Sequence, residues 1–64
     1  MSLKHKIVYW RTKRNLSQRE LGDKVGVSQA AVAKWEVGSS KPTLDNVKAL
    51  ADALDVALTD LFDP

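Results

Sequence analysis

The sequence predicts an all-α fold, a compact bundle of five short helices. Apolar residues recur at intervals of three and four through most of the chain, which is the spacing of a helix with one buried side. Serine or threonine stands immediately before three of these stretches, as N-cap residues do, and asparagine or glycine ends two of them. The connections between them are short. The predicted helices cover about residues 3–14, 18–25, 29–36, 44–54 and 58–62.

Length and composition set limits on what the chain can be. Its 64 residues make a single domain, residues 1–64, and a chain of this size buries only about 60% of its unfolded surface. It has no Cys and one His, so disulfides are excluded and a zinc site lacks its usual ligands. No apolar run approaches the ~18 residues of a membrane span, and no long apolar segment follows MSLKHK as in a signal peptide. We therefore expect a cytoplasmic protein without cofactor, metal or membrane.

The stretch 17–36 predicts a helix-turn-helix. Ser17 and Glu20 form an S-x-x-E capping box at the start of one helix, and Gly26 ends that helix. Ser28 caps the next helix after a turn of about three residues. A connection this short makes the two helices cross steeply rather than run side by side.

Each helix is expected to bury one side. Gly22 stands in mid-helix, where Gly costs about 1 kcal/mol relative to Ala, and the close approach of another helix would explain it. Asn15 and Asp55 are expected in the left-handed conformation that ends many helices. The residues expected to face the core are Leu3, Ile7, Trp10 and the aliphatic stem of Arg14, then Leu21, Val25, Val27, Val32 and Trp35, and finally Leu44, Val47, Leu50, Ala51, Leu54, Leu61 and Phe62.

The charge is distributed unevenly along the chain. Residues 1–41 carry nine basic and three acidic side chains, a net charge of +6, whereas residues 42–64 carry one basic and five acidic side chains, a net charge of −4. Such a division produces a directional electrostatic field. It favours an anionic partner for the first part of the chain, although a solvated surface with chance asymmetry would give the same counts.

These residues together resemble the Cro/CI-type helix-turn-helix family, also called the xenobiotic response element family, which includes the lambdoid phage repressors. The matching run begins at Trp10 and reads W-R-x-x-R-N-L-S-Q-x-E-L-G-x-x-V-G-V-S-Q-x-x-V-x-x-W-E-x-G, and K-P-T-L and L-A-D-A-L-D-V follow it. The resemblance extends over about residues 3–62. It implies the five-helix, lambda-repressor-like fold and binding to double-stranded DNA.

Two positions depart from the family's pattern. The family often has Gly where this chain has Asp55, and Ser or Thr where it has Ala57. Ala is a poor N-cap, costing roughly 1 kcal/mol against Ser, so the last helix is expected to be weakly held. That region pairs subunits in several relatives, so the departure bears on how this chain dimerises.

The outward face of the second helix of the motif carries the candidate base contacts, Gln29, Ala30 and Lys34. A Gln side chain can pair with adenine N6 and N7 in the major groove, and a small apolar Ala can touch a thymine methyl group. Lys34 can reach guanine O6 and N7 or a phosphate, and the sequence does not choose between them. The resemblance implies that the Gln29 position reads bases. The alternative is an ordinary exposed surface.

The candidate phosphate contacts lie at helix starts and in the loop after the motif. Unpaired amides at the start of a helix favour anions, and the resemblance implies that Gln18 bonds a phosphate and braces the recognition helix. It also implies that the loop after this helix lies along the phosphate backbone. Lys4, Lys6 and Arg14 can add further contacts, and a solvated surface is the alternative throughout. The main candidates are Gln18, Arg19, Ser28, Ser39, Ser40 and Lys41.

Other polar residues are expected to be structural. The resemblance implies an ion pair between Arg11 and Glu36 that joins the first and third helices, and such a pair is costly to break from one side. Trp10 and Trp35 are expected in the core. No nucleophile and base stand together, so no enzyme activity and no small-molecule ligand are predicted.

The function favoured by these observations is a sequence-specific transcriptional regulator, a repressor that binds a palindromic operator as a homodimer. A restriction-system controller protein is an alternative of the same class. An antitoxin-like module of a different class would instead dock a partner protein on the acidic stretch from Asp45 to Asp63.

Overall fold

The computed structural model describes residues 2–62, and helices form nearly all of its regular structure. Four α-helices, α1 (Leu3–Lys13), α2 (Gln18–Val25), α3 (Gln29–Val37) and α4 (Leu44–Leu54), are followed by one 3₁₀ turn, Leu58–Leu61. The all-α prediction is confirmed. The fifth element is a tighter 3₁₀ turn that ends at Leu61 rather than Phe62. The α2 and α4 helices have the predicted bounds, and the ends of α1 and α3 differ from the prediction by one residue. Asp63 lies outside the described residues.

All five elements contribute to one core. Six side chains are fully buried, and three more are 4–7% exposed. Interior packing of this kind places each helix against at least two others, so the motif 17–36 cannot move independently of α1 and α4. The buried residues are Ile7, Leu21, Val32, Trp35, Val47, Leu50, Ala51, Leu54 and Leu61.

Two apolar residues predicted to face the core do not. Leu44 is 62% exposed because it is the first residue of α4, one turn before Val47, and lies beyond the end of the core. Phe62 is 46% exposed. It follows the 3₁₀ turn in an extended conformation, in which successive side chains point to opposite sides, and Leu61 occupies the inward direction.

The predictions that Arg14 buries its aliphatic stem and can contact a phosphate are both wrong. The helix ends at Lys13, and Asn15 adopts the predicted left-handed conformation with φ of 58°. The Arg14 Nε donates to the Leu54 carbonyl at 2.7 Å, and the guanidinium lies 5.4 Å from the centre of the Trp10 ring. A cation at the C-terminus of a helix is favourable, so Arg14 fastens α1 to α4 rather than being free for a phosphate.

Capping hydrogen bonds fix the ends of α2 and the start of α3 as predicted. The Glu20 amide donates to Ser17 Oγ at 3.0 Å, and the Ser17 amide donates to Glu20 Oε1 at 2.8 Å. Gly26 ends α2 in the left-handed region with φ of 89°. The Ala31 amide then donates to Ser28 Oγ at 3.1 Å, which starts α3. The turn between the helices is thus held from both sides.

Gly22 is explained by the turn and not by another helix. A Cβ at this position would lie 2.8 Å from the Val27 carbonyl oxygen and 3.2 Å from that of Ser28. The Gly22 carbonyl also accepts from the amides of Gly26 and Val27 at 2.8 and 2.9 Å. The missing side chain therefore lets the turn fold back onto α2, which sets the angle at which α3 leaves.

The last turn is held by contacts that compensate for the poor cap. Asp55 has the predicted left-handed conformation, with φ of 56°. Ala57 supplies no capping oxygen, but its amide donates to Asp60 Oδ2 at 2.9 Å. Trp10 Nε1 donates to the Asp60 carbonyl at 3.2 Å, and Leu61 is fully buried. Within residues 2–62, no helix is long and apolar enough to cross a membrane.

The close approach of the turn to Gly22 predicts that adding a methyl group there destabilises the protein. Gly22→Ala should lower the free energy of unfolding by about 1–3 kcal/mol, because overpacking against backbone outweighs the better helix propensity of Ala. Urea unfolding followed by circular dichroism measures it. The matched control Asp23→Ala, at an exposed position of the same helix, should change the value by less than about 0.5 kcal/mol. Equal or greater stability for Gly22→Ala would contradict the account of the turn.

The capping box predicts a pH dependence. Hydrogen bonds from the backbone and side chain of Ser17 hold the pKa of Glu20 below its usual value, and Lys24 adds to the effect. A carboxyl with a lowered folded-state pKa stabilises the protein above its unfolded pKa, and this contribution is lost as pH falls through the folded pKa. Glu20→Gln should therefore be less stable than the parent at neutral pH, and the two should converge in acid. A difference that is constant with pH in urea titrations would contradict this role.

Candidate nucleic-acid interface

One face of α3 is buried and the opposite face is open. Val32 and Trp35, 0% and 5% exposed, anchor the helix in the core. Gln29, Ala30 and Lys34 are exposed; Ala30 and Lys34 are four residues apart on one face, and Gln29 lies next to Ala30 in the first turn. The structure thus brings together the three side chains predicted to contact bases.

This face has the chemistry of a surface that can enter a groove. A Gln amide offers both a donor and an acceptor, and a Lys ammonium offers donors and a positive charge. Ala30 adds no bulk between them, so the helix backbone can approach a partner closely. The only carboxylate of α3, Glu36, is turned inward and 6% exposed, so no negative charge of this helix opposes an anionic partner.

Glu36 is the centre of a hydrogen-bond network. The Arg11 Nε donates to its Oε2 at 2.6 Å and the Arg11 Nη2 donates to its Oε1 at 3.1 Å, a two-pronged ion pair between α1 and α3. Gln18 Nε2 donates to the same Oε1 at 3.0 Å. Arg11 Nη1 completes the set by donating to the Leu16 carbonyl at 2.8 Å. Three helices therefore meet at one carboxylate, and Arg11 also binds the connection between α1 and α2.

The network fixes the position of Gln18. This residue is the first of α2 and is half-buried, so its side chain is anchored while the start of the helix stays open to solvent. One amide hydrogen is committed to Glu36, and the second is available to an anion near the unpaired amides of the first turn. Arg19, the next residue, is exposed and adds a positive charge there. The bond from Gln18 to Glu36 braces α3, as the resemblance implied, although no local pattern in the chain indicates it.

The three candidate residues in the loop after α3 differ in whether their donors are available to a partner. Gly38 ends the helix with φ of 82°. The Ser39 amide and hydroxyl both donate to the Lys34 carbonyl, at 3.0 and 3.4 Å, so these donors face the helix end. Ser40 and Lys41 are exposed. The loop side chains best placed to meet a phosphate are therefore those of Ser40 and Lys41.

Ser28 caps α3 and keeps one hydrogen-bond donor unused. Its hydroxyl oxygen accepts from the Ala31 amide, and the residue is exposed at the start of α3. The hydroxyl hydrogen is free to rotate toward an anion. In the sequence, Ser28 lies between Gln18 and the exposed residues of α3. Its hydroxyl hydrogen remains available to a partner.

The ion pair predicts a non-additive mutational response. Arg11→Met should lower the free energy of unfolding by about 1.5–3 kcal/mol, the range for lost hydrogen bonds to charged groups. Glu36→Leu should act similarly. The double variant should be less destabilised than the sum of the two, because neither unpaired charge is left behind. Additive losses in urea unfolding would show that the pair is not coupled.

The fold agrees with that of known proteins. Residues 7–61 match the family described as "Helix-turn-helix". A transcriptional repressor, RstR of the cryptic phage CTXphi in Vibrio cholerae, is 31% identical over 95% of this chain, which corresponds to 54% of that protein. The transcriptional activator BcrR of Enterococcus faecalis is 31% identical over 97% of this chain and 30% of its own length. The chain thus spans about half or less of these two relatives.

Two solved structures are also closely similar. The P22 c2 repressor bound to a synthetic operator superimposes with a TM-score of 0.91 at 32% identity, covering 98% of this chain and 96% of that one. The restriction-modification controller protein C.AhdI of Aeromonas hydrophila gives a TM-score of 0.90 at 32% identity, covering 94% and 91%. On the match over residues 7–61 and these structures, the chain belongs to the helix-turn-helix family of the Cro/CI type.

Proposed function

We propose that this protein is a sequence-specific DNA-binding transcriptional regulator that inserts α3 into the major groove. The observation that carries the proposal is the open face of Gln29, Ala30 and Lys34 on a helix whose other side is anchored in the core. An α-helix fits the major groove, where each base pair presents a distinct pattern of donors and acceptors. Similarity to a repressor solved on its operator supports this use of the face.

The division of labour among the side chains follows from their chemistry. Gln29 reads base edges, Ala30 approaches a thymine methyl group, and Lys34 reaches a guanine or a phosphate. Phosphate contacts set the register of the helix without selecting sequence. They are assigned to Gln18, Arg19, Ser28, Ser40 and Lys41, and Ser39 takes part only if its donors leave the Lys34 carbonyl.

The protein is proposed to act as a homodimer on DNA. One α3 covers only a few base pairs, so specific binding requires a second reading helix. Two copies related by a twofold axis would place their α3 helices in successive major grooves, with half-sites about 34–36 Å apart. The operator would then be palindromic. Repression would follow from occlusion of a promoter, in the cytoplasm of a bacterial cell or phage-infected host.

A controller protein of a restriction-modification system is a second candidate. Similarity to C.AhdI at a TM-score of 0.90 favours it, and the DNA-binding geometry would be the same. The antitoxin-like alternative stays a hypothesis on charge alone: Asp45, Asp52, Asp55 and Asp60 are exposed, and Asp60 already accepts from the Ala57 amide.

Two variants separate base reading from phosphate binding. Gln29→Ala should broaden the sequences recovered from a random DNA pool, since losing a bidentate base contact removes about 1–3 kcal/mol of discrimination. Lys41→Ala should weaken all sequences about equally and leave the recovered consensus unchanged. An unchanged consensus for Gln29→Ala would refute its assignment as the base reader.

The control for these variants is Lys48→Ala, which removes an exposed charge from α4. It should leave both the consensus and the affinity close to those of the parent. A loss equal to that of Lys41→Ala would mean that net charge, and not the position of Lys41, governs binding.

A further inference from the structure

A cleft of about 500 Å³ lies between the first turn of α1 and the loop 38–42, beside the proposed phosphate-binding residues. Its lining includes two lysines, Lys4 and Lys41, and two serines, Ser2 and Ser40. No carboxylate of residues 2–62 lines it. Two like charges with no carboxylate among the described lining residues favour an anion between or beside them.

The lining of the cleft is mixed in character. Ile7 and Trp35 are 0% and 5% exposed, but Phe62 is 46% exposed, and Leu3 and Pro42 also line the cleft, so apolar surface lies beside the two lysines. The lysines are the groups that an anion such as a phosphodiester would meet there.

Lys4 is held in place by the end of α3. Its Cδ and Nζ lie 3.0 and 3.3 Å from the position that a Cβ on Gly38 would occupy, so its side chain crosses directly over that glycine. Lys4 is half-buried, and within residues 2–62 its ammonium has neither an ion pair nor a hydrogen bond. Its stem is therefore ordered by packing, and its three donors are unused.

We propose that Lys4 is a DNA phosphate contact that acts together with Lys41, so that α1 and the loop 38–42 grip the phosphate backbone from two elements. The inference rests on the proposed DNA-binding function and adds a helix outside the helix-turn-helix to the interface. Because packing over Gly38 orders the Lys4 stem in advance, less rotamer entropy is lost on binding than for a free surface lysine.

The salt dependence of DNA binding tests the proposal. Lys4→Met keeps the stem and removes the charge, and Lys4→Arg keeps the charge. With a mixed-sequence DNA duplex as the probe, each lost phosphate contact should reduce the slope of log K against log [salt] by about 0.9, which is about a 3.5-fold smaller loss of affinity between 50 and 200 mM salt. Lys4→Met and Lys41→Met should each show this change, and the double variant should show both. Lys4→Arg should retain the parent slope.

Lys48→Met is the matched control, since it removes an exposed charge that does not line the cleft, and it should keep the parent slope. The role of Lys4 would be overturned if Lys4→Met kept the slope of the parent, or if Lys48→Met changed the slope by the same amount. An unchanged slope together with a lower thermal stability of Lys4→Met would show that the ammonium only stabilises the end of α3. If inorganic phosphate bound to the parent and Lys4→Met had no effect on duplex binding, the cleft would be assigned to a free anion instead. If the parent itself bound no duplex, the proposed function would fail before Lys4 was tested.

Discussion

The hydrogen-bonded carboxylate of Glu36 is the constraint on which the rest of the interface depends. Both of its oxygens are used, by the guanidinium of Arg11 and the amide of Gln18. Because these donors come from α1 and α2, the end of α3 is locked to both. A buried ion pair contributes little net stability compared with apolar packing but is costly to leave half-made. Its value here is geometric: it relates the start of α2 to the face of α3.

The turn between α2 and α3 imposes the same relation from the other end. Gly22 has no Cβ, so the carbonyls of Val27 and Ser28 approach α2 closely. The caps at Ser17 and Ser28 fix where each helix starts. With the turn at one end of α3 and Glu36 at the other, the angle between the two helices has little freedom. Preorganisation of this kind lowers the entropic cost of docking onto a rigid partner.

The proposed reading face itself has few polar groups. Gln29 and Lys34 are its hydrogen-bonding side chains, and the alanines between them permit close approach. Most of the affinity would then come from phosphate contacts, which carry no sequence information, and most of the specificity from Gln29. The unequal charge of the chain fits this division, because the net charge of +6 lies in residues 1–41 and the acidic excess lies in α4 and beyond. The acidic end would face away from the DNA.

The sequence predicted most of the fold because its signals are local. Helical spacing, the caps at Ser17, Ser28 and Thr43, and the left-handed residues at Gly26 and Asp55 each act within a few positions. The residue pattern alone failed where the outcome depends on distant parts of the chain. Arg14 reaches a carbonyl forty residues away, Gln18 reaches Glu36 eighteen residues away, and Lys4 crosses Gly38. No periodicity carries such information.

The same limit applies to the interface. The exposed face of α3 follows from spacing alone, since Val32 and Trp35 must face inward. The pairing of Arg11 with Glu36 came from family resemblance. The inward direction of the Ser39 donors depends on how the loop closes over the end of α3, which the sequence does not specify.

The most direct test of the account is a titration of the isotope-labelled protein with a DNA duplex, followed by amide chemical shifts. The amides of Gln18, Gln29, Ala30, Lys34, Ser40 and Lys41 should shift, and those of Lys48 and Asp52 on α4 should not. Shifts concentrated on α4 and the terminal turn, with the α3 face unchanged, would contradict the assignment of α3 as the helix that reads DNA.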